Sequence, residues 1–290
     1  MKRYLFDTPI NIPPNKVGKW EIRHKVFPAG STIDVISSRE AIFNRVMGKK
    51  RKRPTTALLV SSVKFHQLLE DGGIWMSDIP QEQESHKHVV KKCKGSVLIG
   101  GLGIGYVTKM LDLKESVTSI KVIEKSKEVI ELVWKHLKTT KAEIVEADLF
   151  DYLKYTKDKF DWAYYDIWAP TGEDVLFTHI RPLKTLSKGI VPIKHILCWQ
   201  EEVMLGQMLL QLSCDAQMPN FGAVTLDEEQ FQHAYRFQRT RWAYLNWLRS
   251  KKPDKDLALF MARAYTLTYT NVDHWNIFWK EWDYKEAKQC

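Results

Sequence analysis

The stretch Ser96-Val97-Leu98-Ile99-Gly100-Gly101-Leu102-Gly103-Ile104-Gly105 decides how the chain is read. A short apolar run, Val97 to Ile99, breaks abruptly into Gly100, Gly101, Gly103 and Gly105. An apolar run of this length suits a strand buried on both faces. The glycines let the backbone turn tightly and approach a ligand with no Cβ in the way. Tyr106-Val107-Thr108-Lys109-Met110-Leu111 follows, with apolar residues at helical spacing. Strand, glycine turn and helix open a nucleotide-binding α/β unit, whose helix start suits a polar or anionic group.

The glycine spacing narrows the ligand. A dinucleotide fingerprint G-x-G-x-x-G begun at Gly101 needs glycine or alanine where Tyr106 stands; begun at Gly103, it meets Thr108. What remains is G-x-G-x-G over Gly101, Gly103 and Gly105.

Downstream, strand and helix patterns alternate. Val117 to Ile123 reads as a second strand ending at Glu124, about twenty residues past the turn, where a carboxylate accepts hydrogen bonds from both ribose hydroxyls. Lys127 to Leu137 is helical, with Ile130, Val133 and Leu137 along one side. A third strand, Glu143 to Ala147, ends in Asp148-Leu149-Phe150, and a short helix runs from Asp151 to Tyr155. A fourth, Phe160 to Tyr165, delivers Asp166-Ile167-Trp168-Ala169-Pro170. Four strands thus each place a glycine or polar residue at the carboxyl edge, where open α/β sheets bind ligands. Glu173 to Leu186 reads as a helix closed by Gly189, Ile190 to Trp199 contains a fifth strand, and Glu201 to Leu212 is again helical. His179 and His195 are isolated and read as structural.

These motifs resemble class I S-adenosylmethionine (AdoMet)-dependent methyltransferases, in particular the branch shared with spermidine synthase. The likeness runs from about Gly73 to Trp199. It implies a Rossmann-like α/β sheet in which Gly100, Gly101, Gly103 and Gly105 hold the methionine portion of the cofactor. It implies that Glu124 binds the ribose, and that Asp148 with the Leu149 amide addresses the adenine. Aminopropyltransferases carry a second aspartate three residues after the one matched by Asp166, where this chain has Ala169. The Asp/Asn-Pro-Pro-aromatic element of amino-methylating nucleic-acid enzymes does not match Asp166-Ile167-Trp168-Ala169 either. Asp166-Ile-Trp-Ala-Pro and Cys198-Trp199-Gln200 also resemble uncharacterised methyltransferase-like proteins of bacteria and their phages. Asp166 and Trp168 are the catalytic candidates. A carboxylate binds an amine nucleophile or takes its proton, and an aromatic face holds a cation or stacks a base; packing is the alternative for Trp168.

Upstream, the chain has another character. Pro9, Pro13 and Pro14 predict an extended start. Trp20 to Val26 alternates loosely before Pro28-Ala29-Gly30, and Thr32 to Ile36 is expected to pair with it as a hairpin. Thr56 to Val60 and the turn at Gly72-Gly73 suggest further strands. Ser77 or Asp78 is the expected cap of a helix with Pro80 in its first turn. On that helix Glu84 and His88 share a face. We read them as a surface pair, with a view of the cofactor pocket as the alternative.

These patterns predict a small β-rich N-terminal module over residues 1–79, a Rossmann-like domain over 80–227 and a helical extension over 228–290. The 290 residues carry a formal charge of +9, which permits nucleic acid or another anionic partner without choosing one. Lys49-Lys50-Arg51-Lys52-Arg53 reads as a solvated loop or a phosphate contact. In the extension, Trp275, Phe278, Trp279 and Trp282 form a helical stripe suited to core packing or a homodimer contact. Basic residues among such aromatics also suit single-stranded nucleic acid. Cys93, Cys198, Cys214 and Cys290 have no metal-ligand spacing, so no metal site and a reducing, cytoplasmic setting are expected. No apolar run predicts a membrane span.

Methyl transfer from AdoMet to an unidentified small-molecule or nucleic-acid acceptor is therefore the leading expectation. Aminopropyl transfer from decarboxylated AdoMet is the second. A nucleic-acid-binding protein with a vestigial cofactor pocket is the third.

Overall fold

A computed structural model of the chain describes residues 3–4, 8–35, 56–168, 175–201 and 204. The basic run at 49–53, the segment 169–174 and the expected helical extension lie outside the described residues.

Five parallel strands form the central sheet: β8 (Gly95–Gly100), β9 (Val117–Glu124), β10 (Ala142–Glu146), β11 (Trp162–Tyr165) and β12 (Ile196–Cys198). Their spatial order is β10-β9-β8-β11-β12. The chain therefore builds outward from β8 on one side, then crosses back to build outward on the other. The reversal lies between β8 and β11, and such switch points open a crevice at the carboxyl edge.

Alternation along the strands assigns each side chain to a face. Val97, Ile99, Val122 and Tyr164 enter one buried cluster, and Leu98, Ala163 and Tyr165 enter the other. Four helices follow the first four strands or precede them: α1 (Pro80–Lys92), α2 (Tyr106–Asp112), α3 (Lys127–Leu137) and α4 (Leu149–Tyr155). α3 begins at Ser126, whose side chain accepts the Val129 amide, and it buries Val129, Leu132, Val133 and Leu137. A short π-helical turn (Leu176–Ile180) leads into α5 (Arg181–Leu186), and a 3-10 turn (Ile193–His195) into β12. No helix among the described residues is long and apolar enough to cross a membrane.

Upstream lie β1 (Arg3–Tyr4), β2 (Asn15–Val17), β3 (Trp20–Phe27), β4 (Thr32–Asp34), β5 (Thr56–Leu59), β6 (Val63–Glu70) and β7 (Gly73–Ser77). β2, β3, β6 and β7 form an antiparallel sheet in that order, and β1, β5 and β4 a smaller one. The expected pairing of Thr32 to Ile36 with β3 does not occur. β3 runs its full length against β6, from Trp20 opposite Glu70 to Phe27 opposite Val63, while β4 pairs with β5. Two strands of equal length satisfy more backbone groups than an eight-residue strand meeting a three-residue one. The β6–β7 turn holds Asp71 and Gly72 both at positive φ, 48° and 81°, the geometry of a two-residue hairpin turn. Trp20, Ile22 and Leu68 join the same buried cluster as Val97 and Ile99, so this sheet and the parallel sheet share a core.

Neither expected cap starts α1. The N-cap residue is Ile79, with no side-chain cap bond, and Pro80 occupies the first turn. Asp78 is drawn elsewhere: its carboxylate accepts from the His66 amide at 2.6 Å, the His66 ring at 2.8 Å and the Thr8 hydroxyl at 2.7 Å. Ser77 is held by Glu82 from within the helix, its amide and hydroxyl each donating at 2.9 Å.

Candidate active site

A cavity of about 460 Å³ opens at the carboxyl edge of β8, β9, β10 and β11, and the strands β3, β6 and β7 close its other side. The volume lies within the roughly 300–1,000 Å³ of small-molecule and cofactor sites.

The glycine turn forms one wall. Gly101 sits at φ 93°, donates its amide to the Ile123 carbonyl at 2.8 Å, and would bring a Cβ within 2.2 Å of the Asp166 carbonyl oxygen. Gly103, at φ 51°, would bring one equally close to Met76 Sδ. Both line the cavity. Gly100 and Gly105 do not. Their missing Cβ atoms make room for Leu149 and for Leu137, so these two glycines seat helices against the sheet.

Glu124 closes the turn from β9. One carboxylate oxygen accepts the Leu102 amide and the other the Ser126 amide, both at 2.8 Å. Each oxygen can accept a second bond from a ligand hydroxyl. Asp148 caps α4 by accepting the Phe150 amide at 2.8 Å and pairs with Lys125 at 3.1 Å. Burial opposes its charge, but the Lys125 and Phe150 bonds prevail and hold its carboxyl below the ordinary range. Glu124, Asp148 and Leu149 all line the cavity, at the ends of adjacent strands.

At the switch point stands Asp166, half-buried just past β11. The Tyr164 hydroxyl donates to Asp166 Oδ2 at 3.1 Å and meets His86 Nδ1 at 2.9 Å on its other side. With the hydroxyl proton committed to the carboxylate, Nδ1 of His86 is the donor to the Tyr164 oxygen. Burial keeps His86 neutral, its pKa lowered to about 3. Burial raises the Asp166 carboxyl to about 7, only partly offset by the Tyr164 bond.

Trp168 lines the cavity but is only 5% exposed, and it packs among Val175, Leu183 and Met204. It is chiefly a core residue. Its indole N–H is buried with no acceptor among the described residues. His179, expected to be structural, also lines the cavity, edge-on to Trp168 and Phe150.

Several lining residues come from elements that the strand-end reading leaves out. α1 turns Glu82 and His86 to the cavity, not Glu84 and His88. Glu84 pairs with Lys87, and exposed His88 bonds the Ser85 carbonyl at 2.9 Å. Burial pushes the Glu82 carboxyl up to about 7, outweighing the two Ser77 donors, and the Asp166 charge adds to the rise. Trp20, Trp75 and Met76 contribute from the antiparallel sheet, and Trp199 from beyond β12.

The lining is acidic in a basic protein. Glu70, Glu82, Glu124, Glu128, Asp148 and Asp166 face Lys19 and Lys125, and both lysines are already paired, with Glu70 and Asp148. Such a wall attracts cations and repels polyanions. Among the described residues, no group of three or more histidine, cysteine or carboxylate side chains is placed to hold a metal ion.

No family model and no curated protein matches the chain. Among solved structures it is similar to spermidine synthase from Thermotoga maritima, at 22% identity over 45% of this chain and 50% of that one, with a TM-score of 0.36. It is also similar to precorrin 8W decarboxylase from Methanobacterium thermoautotrophicum (17% identity, 38% and 57% covered, TM-score 0.29). A third is the plantazolicin methyltransferase in complex with SAH (19% identity, 37% and 39% covered, TM-score 0.29). The chain spans about half the length of the first two.

Proposed function

We propose that the chain is an AdoMet-dependent transferase that methylates a small amine, held over Asp166 as its ammonium and deprotonated before attack, with S-adenosylhomocysteine as the leaving thioether. The observation that carries this reading is the acidic, aromatic-walled cavity at the switch point. Its walls are the Gly101–Gly103 turn, Glu124, Asp148 and Asp166.

The residues present fit the cofactor. At neutral pH AdoMet bears an ammonium, a sulfonium and a carboxylate, a net positive charge suited to an acidic cavity. Glu124 offers its remaining lone pairs to the ribose, and Asp148 with the start of α4 lies where the adenine edge is expected. The Gly101–Gly103 turn leaves room for the methionine end. Bound there, AdoMet supplies an electrophilic methyl group on a sulfonium. The chain's own contribution is binding, orientation and proton handling. Ionised Asp166 accepts the proton that an amine nucleophile must lose, and Tyr164, steadied by His86, holds that carboxylate in place.

A second reading, aminopropyl transfer from decarboxylated AdoMet, gains from one observation. Ala169 leaves Asp166 without a second aspartate in sequence, but Glu82 brings another carboxylate into the same cavity. A nucleic-acid acceptor is disfavoured, because a phosphate backbone entering this wall meets like charge. Incubation with methyl-labelled AdoMet and a panel of primary and secondary amines tests the proposal. Label should move to at least one amine, and Asp166→Asn should abolish the transfer. Label appearing only in nucleic acid would overturn the acceptor class.

A further inference from the structure

We infer that His86 presents the bare Nε2 of its ring to the cavity, where it accepts an N–H from the amine that Asp166 holds and so becomes a further acceptor-binding residue. The inference rests on the transfer reading only in assigning that N–H to the methyl acceptor.

Hydrogen-bond geometry fixes which ring nitrogen carries the proton. α1 brings His86 to the cavity wall with its side chain only 3% exposed. The ring stands edge-on to Tyr164, centroids 5.9 Å apart, and its centroid lies 6.1 Å from that of Tyr106. Nδ1 meets the Tyr164 hydroxyl at 2.9 Å, and the same hydroxyl reaches Asp166 Oδ2 at 3.1 Å. That hydroxyl has one proton to give, and an ionised carboxylate is the stronger acceptor of the two. The Tyr164 oxygen is then met by a proton on Nδ1. A neutral imidazole carries a single N–H, so Nε2 is left with its lone pair. Burial keeps the ring neutral, its pKa lowered to about 3.

Nε2 has no hydrogen-bond partner among the described residues. Nor is it sealed in the core: the enclosed side-chain polar atoms left without a partner there are the indole nitrogens of Trp20, Trp162 and Trp168. It therefore opens to the cavity that His86 lines. A lone pair calls for a donor, and a carboxylate or a thioether has none to offer. One hydroxyl joins the ring to Asp166, so a donor reaching Nε2 belongs to a group already near that carboxylate. A primary ammonium brings three N–H donors, enough for both acceptors. A quaternary ammonium brings the same charge and no N–H. His86 therefore selects for hydrogen-bonding ammonium groups over charge alone.

Nitrogen-15 NMR of the chain labelled at its histidine rings tests this without AdoMet, so its failure is distinct from a failure of cofactor binding or transfer. The spectra are taken at about pH 8, where Asp166, its carboxyl raised to about 7, is ionised. His86→Asn keeps a side-chain N–H near the place of Nδ1 and removes the nitrogen beyond it, whereas His86→Gln puts an amide oxygen near the place of Nε2. Either variant assigns the His86 signals by their loss. The expected result is a protonated Nδ1 and an unprotonated Nε2. The Nε2 signal should shift with ethylammonium chloride and stay in place with equal tetramethylammonium chloride. Ethylammonium affinity, followed at the Asp166 carboxyl carbon, should fall about tenfold in His86→Asn, the lower end for a lost hydrogen bond to a charged group, and recover in part in His86→Gln. A protonated Nε2, no response to ethylammonium, an equal shift with tetramethylammonium, or the same shift with AdoMet alone would overturn the inference.

Discussion

The Tyr164 hydroxyl lies 3.1 Å from Asp166 Oδ2, the two residues standing two apart and so on the same side of a strand end. Tyr164 is anchored in the core by His86 at 2.9 Å, while Asp166 has left the strand and faces the cavity. A buried, neutral chain of donors thereby fixes the one carboxylate at the switch point. Tyr164→Phe removes the donor and keeps the ring. The Asp166 pKa should rise above about 7, because the bond it loses is the contact that favours the ionised form. A carboxyl NMR titration reads the shift directly, and an unchanged value would mean the hydroxyl plays no part in tuning Asp166.

Cofactor affinity should depend on the carboxylates at the ends of β9 and β10. Glu124→Ala and Asp148→Ala should each weaken AdoMet binding by about 1–3 kcal/mol, the scale of a lost charged hydrogen-bonding group. Asp148→Ala should also lower stability by about 1 kcal/mol, since it removes the cap of α4. Calorimetry and thermal unfolding separate the two effects. Wild-type affinity in both variants would contradict the assignment.

Gly101→Ala should disable the turn. A side chain there is strained by φ 93° and collides with the Asp166 backbone, a cost of about 1–3 kcal/mol from the conformation alone. Gly105→Ala meets Leu137 instead, so it should destabilise α3 packing and spare AdoMet affinity in the protein that remains folded. Equal losses of affinity in both variants would show that the distinction drawn between the glycines is wrong.

Stability should fall as pH rises from about 4 to 7 through Glu82 and Asp166. Their folded pKa values, about 7, exceed the ordinary values of 3.8 and 4.5, so the native state binds more protons than the unfolded chain in that window. Their favourable share is fully present below the unfolded pKa and is lost on passing the folded one. At pH 8, therefore, Asp166→Asn should stabilise the empty protein by roughly 1–2 kcal/mol. That is less than full linkage at about 1.4 kcal/mol per unit, because the cavity admits water. At pH 4 the gain should vanish, which denaturant titrations at the two pH values would check.

The parallel sheet was legible because each of its strands is a short apolar run with a polar or glycine terminus. Gly101, Glu124, Asp148 and Asp166 line one cavity for the same reason, since strand ends converge on one edge. Gly100 and Gly105 look identical in sequence to their neighbours, yet only the packing of Leu149 and Leu137 separates their roles. The helix face of α1 was also open to a better reading. Glu82, His86, Val89 and Cys93 follow i, i+4, i+7 and i+11, and the buried Val89 and Cys93 set that face inward. Glu84 and His88, expected as a surface pair, lie off that face, two residues out of phase with the cavity-lining Glu82 and His86. Trp20, Trp75 and Met76 carry no local signal, because their place in the wall depends on how the antiparallel sheet docks. The β3–β6 pairing was missed for a related reason: it joins segments separated by residues 28–62, which no short-range pattern links.

Calorimetric titration of the chain with AdoMet, run beside decarboxylated AdoMet, tests the central claim most directly. The account predicts saturable one-to-one binding of AdoMet in preference to the decarboxylated form, weakened in Glu124→Ala and Asp148→Ala. Preference for the decarboxylated form would move the assignment to aminopropyl transfer. No binding of either by the folded protein would contradict the account.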